Sequence, residues 1–112
     1  MVCDHFMQDF RESKYSEAID LLRANSVIES PKLDTLQAKI SQQMEILPTI
    51  YGSMVSWEFI TKHYIKDFIS KRFYILKFKN YYLKFDFTLY NSGSGWTITG
   101  FTYNDNLIEL LY

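Results

Sequence analysis

The sequence predicts a single α+β domain, in which N-terminal helices pack on one face of a curved four-stranded antiparallel sheet. In residues 1–52 the apolar side chains recur at helical spacing, whereas from residue 53 onward they alternate as in strands. A chain of 112 residues can build one core but not two. We therefore expect a helical layer over residues 1–52 and the sheet over residues 53–112.

Two or three helices are predicted in the first half. Asp4 can cap a short first helix, and Ser16 can cap a second. Ser30 followed by Pro31 predicts the start of a third, because proline is favoured at the first helical position, where its missing N–H costs little. Their buried stripes are expected to be Phe6, Met7 and Phe10, then Ala18, Ile19 and Leu22, then Leu33, Leu36, Ile40, Met44 and Leu47.

The change from helix to sheet is predicted between Pro48 and Gly52. Pro48 should end or kink the third helix, and Gly52 should mark its exit. A first strand follows over 55–59, where apolar and polar residues alternate. The polar stretch 61–67 is expected to be a connection that leads to the second strand.

The second and third strands are predicted near 70–79 and 81–90, joined by a tight turn at Lys79 and Asn80. This register pairs Phe78 with Tyr81 and separates an apolar face from a mixed one, and a slip of one residue would invert the two. The apolar face holds Tyr74, Leu76, Phe78, Tyr81, Leu83, Phe85, Phe87 and Leu89. The mixed outer face holds Phe73, Ile75, Lys77, Tyr82, Lys84, Asp86 and Thr88.

A fourth strand is predicted from Trp96 to Tyr103, with Ile98 beside Leu89 and Gly100 opposite Phe87. Strand alternation then puts Thr102 on the inner face, and Phe101 and Tyr103 on the outer one. The apolar tail over 107–111 is expected to be a last strand or a short helix.

Composition and charge argue against several function classes. The net charge of −1 provides no overall field toward nucleic acid or anionic lipid. Cys3 is the one cysteine, so neither an internal disulfide nor a zinc site is predicted, and no cofactor is implied. No apolar run approaches the roughly 18 residues that a membrane-spanning helix needs. Residues 1–5 lack the basic and apolar regions of a signal peptide, and the compartment stays open.

Several segments together resemble small bacterial proteins of the nuclear transport factor 2-like (cystatin-like) superfamily, over nearly the whole chain. They are the helical run 15–22, Tyr-Ser-Glu-Ala-Ile-Asp-Leu-Leu, the strands 73–79 and 83–90, and the pairs Tyr51-Gly52, Gly95-Trp96, Gly100-Phe101 and Asn104-Asp105. The resemblance is closest to exported proteins of Bacteroidetes-type bacteria. It implies a cone formed by the helices and the sheet, a periplasmic or secreted location, and a symmetric homodimer through the outer sheet face.

Two binding surfaces are predicted. A pocket between helices and sheet would take a small apolar molecule, with room left by Gly100, and would be lined by Trp57, Tyr74, Phe85, Phe87 and Thr102. The alternative is that these side chains fill the core. The outer face would pair with a second copy, because it exposes more aromatic surface than a monomer usually keeps, through Phe73, Ile75, Tyr82, Tyr90, Phe101 and Tyr103.

Catalysis of the ketosteroid-isomerase type needs an acid or a histidine base inside the cone, and the inner hairpin face offers none. Asp86 has outward parity, Asp20 lies on a helix, and His5 and His63 belong to unrelated segments. Lysines interleaved with aromatic residues on the strands are better explained by protection against edge aggregation than by binding of single-stranded nucleic acid. The sequence therefore favours a non-catalytic binding or interaction module, with a small isomerase or hydrolase that uses an unrecognised site as the alternative.

Overall fold

The predicted α+β fold is confirmed in a computed structural model that describes residues 2–111. Three helices, α1 (Val2–Arg11), α2 (Tyr15–Asn25) and α3 (Ser30–Tyr51), precede the strands β1 (Met54–Ile65), β2 (Ile69–Phe78), β3 (Tyr82–Asn91) and β4 (Trp96–Asn104). The strands form one antiparallel sheet in the order β1-β2-β3-β4. A one-turn helix, α4 (Ile108–Leu111), follows the sheet. Within residues 2–111 no helix has both the length and the apolar character needed to cross a membrane.

The helices differ from prediction at their ends. Helix α2 has Lys14 at its N-cap, without a capping side chain, so Ser16 lies within its first turn. Pro48 does not end α3, which continues to Tyr51. Gly52, with φ +87°, follows as the C-cap. The last turn of α3 is stabilised by residues of the β2–β3 turn, since the Asn80 N–H donates to the Tyr51 carbonyl at 2.7 Å. The Tyr51 ring also packs on aromatic residues at the β2–β3 turn.

The predicted hairpin register is confirmed. Leu76 lies opposite Leu83, and the Phe78 N–H donates to the Tyr81 carbonyl at 2.8 Å across the turn. Strand β1 is longer than predicted, since residues 61–65 pair with β2 instead of leaving the sheet. A bulge at Ile60 shifts the register, and residues 61–65 continue the hydrogen-bonded pairing with β2 beyond it. The polar character of this stretch therefore did not indicate a connection outside the sheet.

The predicted faces of β4 are wrong beyond Ile98. Thr99 is an extra residue between the pairs Leu89–Ile98 and Thr88–Gly100, and it reverses the parity of every later side chain. Phe101 therefore lies opposite Phe87 on the inner face. Thr102 lies opposite Asp86 on the outer face instead of the predicted inner one.

The core lies between the helices α1, α2 and α3 and the concave face of the sheet. Phe6 meets Phe87 edge to face at 5.3 Å between ring centroids, and Phe10 meets Phe85 at 4.9 Å. The outer edge of β4 is covered at Ile98, whose carbonyl accepts from the Val27 N–H at 3.1 Å. Within the described chain, β1 has a strand neighbour on one side only. The edge of β4 is thus covered at one point, and the edge of β1 is the open one.

Candidate functional site

The predicted pocket residues Tyr74, Phe85 and Phe87 are brought together, as packed core. All three side chains are completely buried. Tyr74 meets Phe87 edge to face at 5.7 Å between ring centroids, and the rings of α1 close over the other side. Thr102 points away to the outer face and donates to Asp86 Oδ2 at 2.8 Å. Ligand binding by the first three therefore requires α1 to move.

Trp57, the remaining predicted lining residue, stands half-buried beside an open groove of about 540 Å³ between α1 and β1. Its Nε1 donates to Gln8 Oε1 at 2.9 Å. Arg11 Nε donates to the Val55 carbonyl at 2.9 Å, which satisfies one backbone acceptor of the open strand. We call this surface the Trp57 groove; it is lined by Gln8, Arg11, Glu12, Val55, Ser56 and Trp57.

A polar cluster that the sequence did not reveal ties α1 to β2. The Tyr74 hydroxyl donates to Asp4 Oδ1 and accepts from Arg72 Nε at 3.1 Å. Arg72 Nη2 lies 3.7 Å from the Asp4 carboxylate, and the guanidinium stacks over Phe59 at 4.4 Å. Burial, with the hydrogen bond to Asp4, raises the pKa of Tyr74 well above its usual 10. No sequence spacing signals this cluster, because Asp4 and Tyr74 are 70 residues apart.

Cys3 lies next to this cluster and is completely buried. Burial raises the pKa of its thiol to about 12, so the thiolate that nucleophilic chemistry requires is scarce at neutral pH. No group of three His, Cys, Asp or Glu side chains in residues 2–111 is placed to hold a metal ion. The polar groups of the cluster on the concave side, those of Asp4, Arg72 and Tyr74, are thus already bound to one another.

The predicted outer-face interface is smaller than expected. Phe101 and Tyr103 lie on the inner face, where Phe101 is 5.0 Å from Phe6 between ring centroids and Tyr103 stacks on Phe85 at 5.4 Å. The Thr99 bulge is the physical reason for this correction. Phe73 has the predicted outward parity but is completely buried. The interface residues that keep outward-facing exposure are Ile75, Tyr82 and Tyr90.

Phe73 is buried by a cluster of charged side chains on the convex face. Lys71 Nζ and Lys84 Nζ lie 5.7 and 5.6 Å from its ring centroid. Glu109 of α4 accepts from Lys71 at 2.9 Å and from Lys84 at 3.3 Å. The hydrogen bond with Lys71 lowers the pKa of Glu109, and the same bond raises the pKa of Lys71. Sequence alternation placed Lys84 outward, but it could not show that α4 covers it.

The open edge strand carries a run of exposed apolar side chains. Each of them is between 41 and 61% exposed, although Glu58 and Lys62 lie among them. We call this set the β1 strip; it consists of Val55, Phe59, Ile60, Tyr64 and Ile65. Two of its members, Val55 and Ile60, are bulge residues without a partner in β2. Phe59 and Tyr64 have the parity of the inner face, whereas Ile65 has that of the outer face, so the strip follows the edge and not one face. Single exposed apolar residues are ordinary, but five along one edge strand are typical of an interaction surface.

Comparison with known proteins supplies no identity for this site. No family model matches the chain, and neither a curated protein nor a solved structure matches it.

Proposed function

We propose that the chain is a non-catalytic interaction domain of the nuclear transport factor 2-like superfamily, and that it binds a second copy of itself through the β1 strip. The order of helices before an antiparallel meander, with α1 on the concave face, supports the superfamily assignment. The exposed apolar run on the open edge carries the functional part of the proposal.

The open edge of β1 favours a second copy as the occupant, because an edge strand with exposed apolar side chains can cover itself by pairing with another copy. Two copies related by a two-fold axis would run antiparallel here, so an axis near Ile60 brings the Ile60 side chain of each copy toward that of the other. Glu58 pairs with Lys77 of its own chain at 3.1 Å on the outer face, so the contact at the centre is apolar. The exposed apolar side chains at the centre would then be covered.

The bulges at Val55 and Ile60 define the kind of contact. Bulges discourage a continuous ladder across an edge, so the contact is made chiefly by side chains that the bulges push outward. This placement differs from a dimer through the outer face, where three predicted residues are buried or point inward.

Substitution at the centre of the strip tests the proposal. We expect Ile60→Lys to convert a dimer into a monomer in sedimentation velocity, because two lysines would meet at the two-fold axis. Ile46→Lys is the matched control, since Ile46 is similarly exposed, at 52% against 44%, but lies on α3. A dimer that persists in Ile60→Lys, or a monomeric native chain at the same concentration, contradicts the proposal.

The alternative function is a small isomerase or hydrolase of the ketosteroid-isomerase type. One observation favours it: a phenol, a carboxylate and a guanidinium converge at Tyr74, Asp4 and Arg72. To act on a substrate, these groups would have to break the hydrogen bonds between them and form hydrogen bonds with the substrate instead. Turnover by the native chain that is lost in Tyr74→Phe, with the fold intact, would support this alternative over the interaction domain.

Two further proposals derive from the resemblance. One is export, tested by fractionating cells that express the complete gene. The other is a small apolar ligand in the cone, which would require α1 to open and would be detected as an added mass on the purified chain.

A further inference from the structure

On the convex face, the Glu109 carboxylate lies between the ammonium groups of Lys71 and Lys84. Glu109 Oε2 lies 2.9 Å from Lys71 Nζ, and Oε1 lies 3.3 Å from Lys84 Nζ. The Lys84 side chain is only 2% exposed, so its charge is largely removed from water. Such a group requires a partner, because an unpaired charge is costly to bury.

The rest of the cluster is fixed by the sheet. Asp86 Oδ2 lies 3.8 Å from Lys84 Nζ, its other oxygen lies 4.0 Å from Lys71 Nζ, and Thr102 donates to it. The buried ring of Phe73 lies beneath both ammonium groups. Two lysines and one aspartate leave one positive charge, which Glu109 neutralises. The sheet therefore presents a site that is one carboxylate short of neutrality.

Helix α4, which supplies that carboxylate, is weakly held. It spans four residues, and a helix of one turn is not stable by itself in water. Asp105 and Asn106, which connect it to β4, are exposed, and Asp105 accepts a hydrogen bond from the Tyr81 hydroxyl at 2.8 Å. The Ile108 side chain is 61% exposed. Glu109 thus behaves as a tethered ligand in a site formed by another part of the chain.

We propose that Lys71, Lys84 and Phe73 form a binding site for a carboxylate on an acidic, otherwise apolar peptide segment of a partner protein, and that α4 occupies this site in the free chain. The occupant seen in the structure indicates the ligand class, a glutamate flanked by isoleucine and leucine. The side chains of the site belong to β2 and β3, and none of them is part of the β1 strip, so the site does not depend on self-association through that strip.

The tether makes α4 a competitor. A segment held on a short linker has an effective concentration on the order of millimolar, so a free peptide binds poorly until α4 is released. Removing the negative charge of Glu109 should release it and leave the lysines available. The same substitution leaves the sheet side chains of the site unchanged.

Peptide binding tests the proposal on the full chain. The probe is a fluorescently labelled peptide of residues 105–112, Asp-Asn-Leu-Ile-Glu-Leu-Leu-Tyr, with an amidated C-terminus. We expect Glu109→Gln to bind it at least about tenfold more tightly than the native chain does, because the tethered competitor is weakened. A peptide with glutamine in place of its glutamate should bind at least about tenfold more weakly, since it lacks the charge that the lysines pair with.

Second-site variants separate binding from folding. In the Glu109→Gln background, Lys84→Met should abolish binding of the acidic peptide. If Lys84→Met does not fold, Lys71→Met takes its place, because Lys71 is more exposed, and it should weaken binding of the same peptide. Circular dichroism establishes which variants are folded. Equal binding by the native chain and Glu109→Gln, or equal binding of the two peptides, would overturn the proposal.

Discussion

Tyr74 is completely buried, yet its hydroxyl group has two hydrogen-bonding partners, the Asp4 carboxylate and the Arg72 guanidinium. A buried phenol without partners would be costly, so the cluster stabilises the contact between α1 and β2. Lys84 on the opposite face obeys the same rule, because its ammonium group is paired with Asp86 and Glu109. Single polar residues thus fix the layers on both faces of the sheet.

We expect Tyr74→Phe to lower the free energy of unfolding by about 1 kcal/mol, because Asp4 and Arg72 lose a hydrogen-bonding partner while water still reaches the half-exposed Asp4. Urea denaturation measures this difference. Tyr90→Phe is the control at an exposed position of β3, and we expect a change within about 0.5 kcal/mol. Equal stability of Tyr74→Phe and the native chain would show that the cluster does not fasten α1.

The Cys3 thiol should be protected in the folded chain. Burial raises its pKa to about 12 from the usual 9.0, which leaves little thiolate at pH 8. We expect a disulfide reagent to modify the native chain at least about a hundredfold more slowly than the chain in concentrated urea, because both access and thiolate are limited. Comparable rates in the two conditions would mean that α1 opens freely.

At the scale of elements, the two ends of the chain are held by different means. Helix α1 is held by aromatic rings of the core, including Phe6 and Phe10. Helix α4 is held through the carboxylate of Glu109, and its attachment should therefore respond to pH and salt. Both helices use an ion pair, but the aromatic packing of α1 should make it less sensitive to pH and salt than α4.

We expect α4 to detach in acid. Because the pKa of Glu109 is lowered in the fold, its contribution is complete above the ordinary value of 4.5 and is lost as the pH falls through the lowered value. The raised pKa of Lys71 works in the opposite direction, so its contribution is complete below 10.5 and is lost as the pH rises through the raised value.

The Leu110 methyl resonances in NMR spectra report this detachment, because Leu110 of α4 is half-buried in the attached state. The ionisable groups around Glu109 are Lys71, Lys84 and Asp86, and His63 packs on Phe73 beside them. Glu109→Gln should show the detached resonance position at neutral pH. Native resonances that stay constant from neutral pH to pH 3 would contradict the ionic attachment.

At the scale of the whole molecule, the sequence predicted the layers and the central hairpin because both follow from side-chain periodicity. Leu76 and Leu83 lie opposite each other as alternation requires. Gly100 inside a strand pattern is a signal for a bulge, but it does not say which residue is extra, so the faces of Phe101, Thr102 and Tyr103 were predicted wrongly. A bulge is a property of strand pairing, and one residue of shift is enough to exchange the two faces.

The candidate sites were less predictable than the fold because they join distant segments. The partner of Tyr74 comes from α1, and the partner of Lys84 comes from α4. Spacing within a segment carries no information about such pairs. The aromatic stripe of Tyr74, Phe85 and Phe87 was readable from the sequence, but whether it surrounds a pocket depends on how closely α1 approaches.

Self-association is the central functional claim, and native mass spectrometry of the unmodified chain tests it most directly. The strip on β1 covers itself only if two copies meet, whereas a ligand in the cone would add its own mass. We expect a species of twice 13.4 kDa, without an adduct, at micromolar concentration. A species of 13.4 kDa alone, or one carrying a small-molecule adduct, would contradict an interaction domain that pairs through β1 over a filled core.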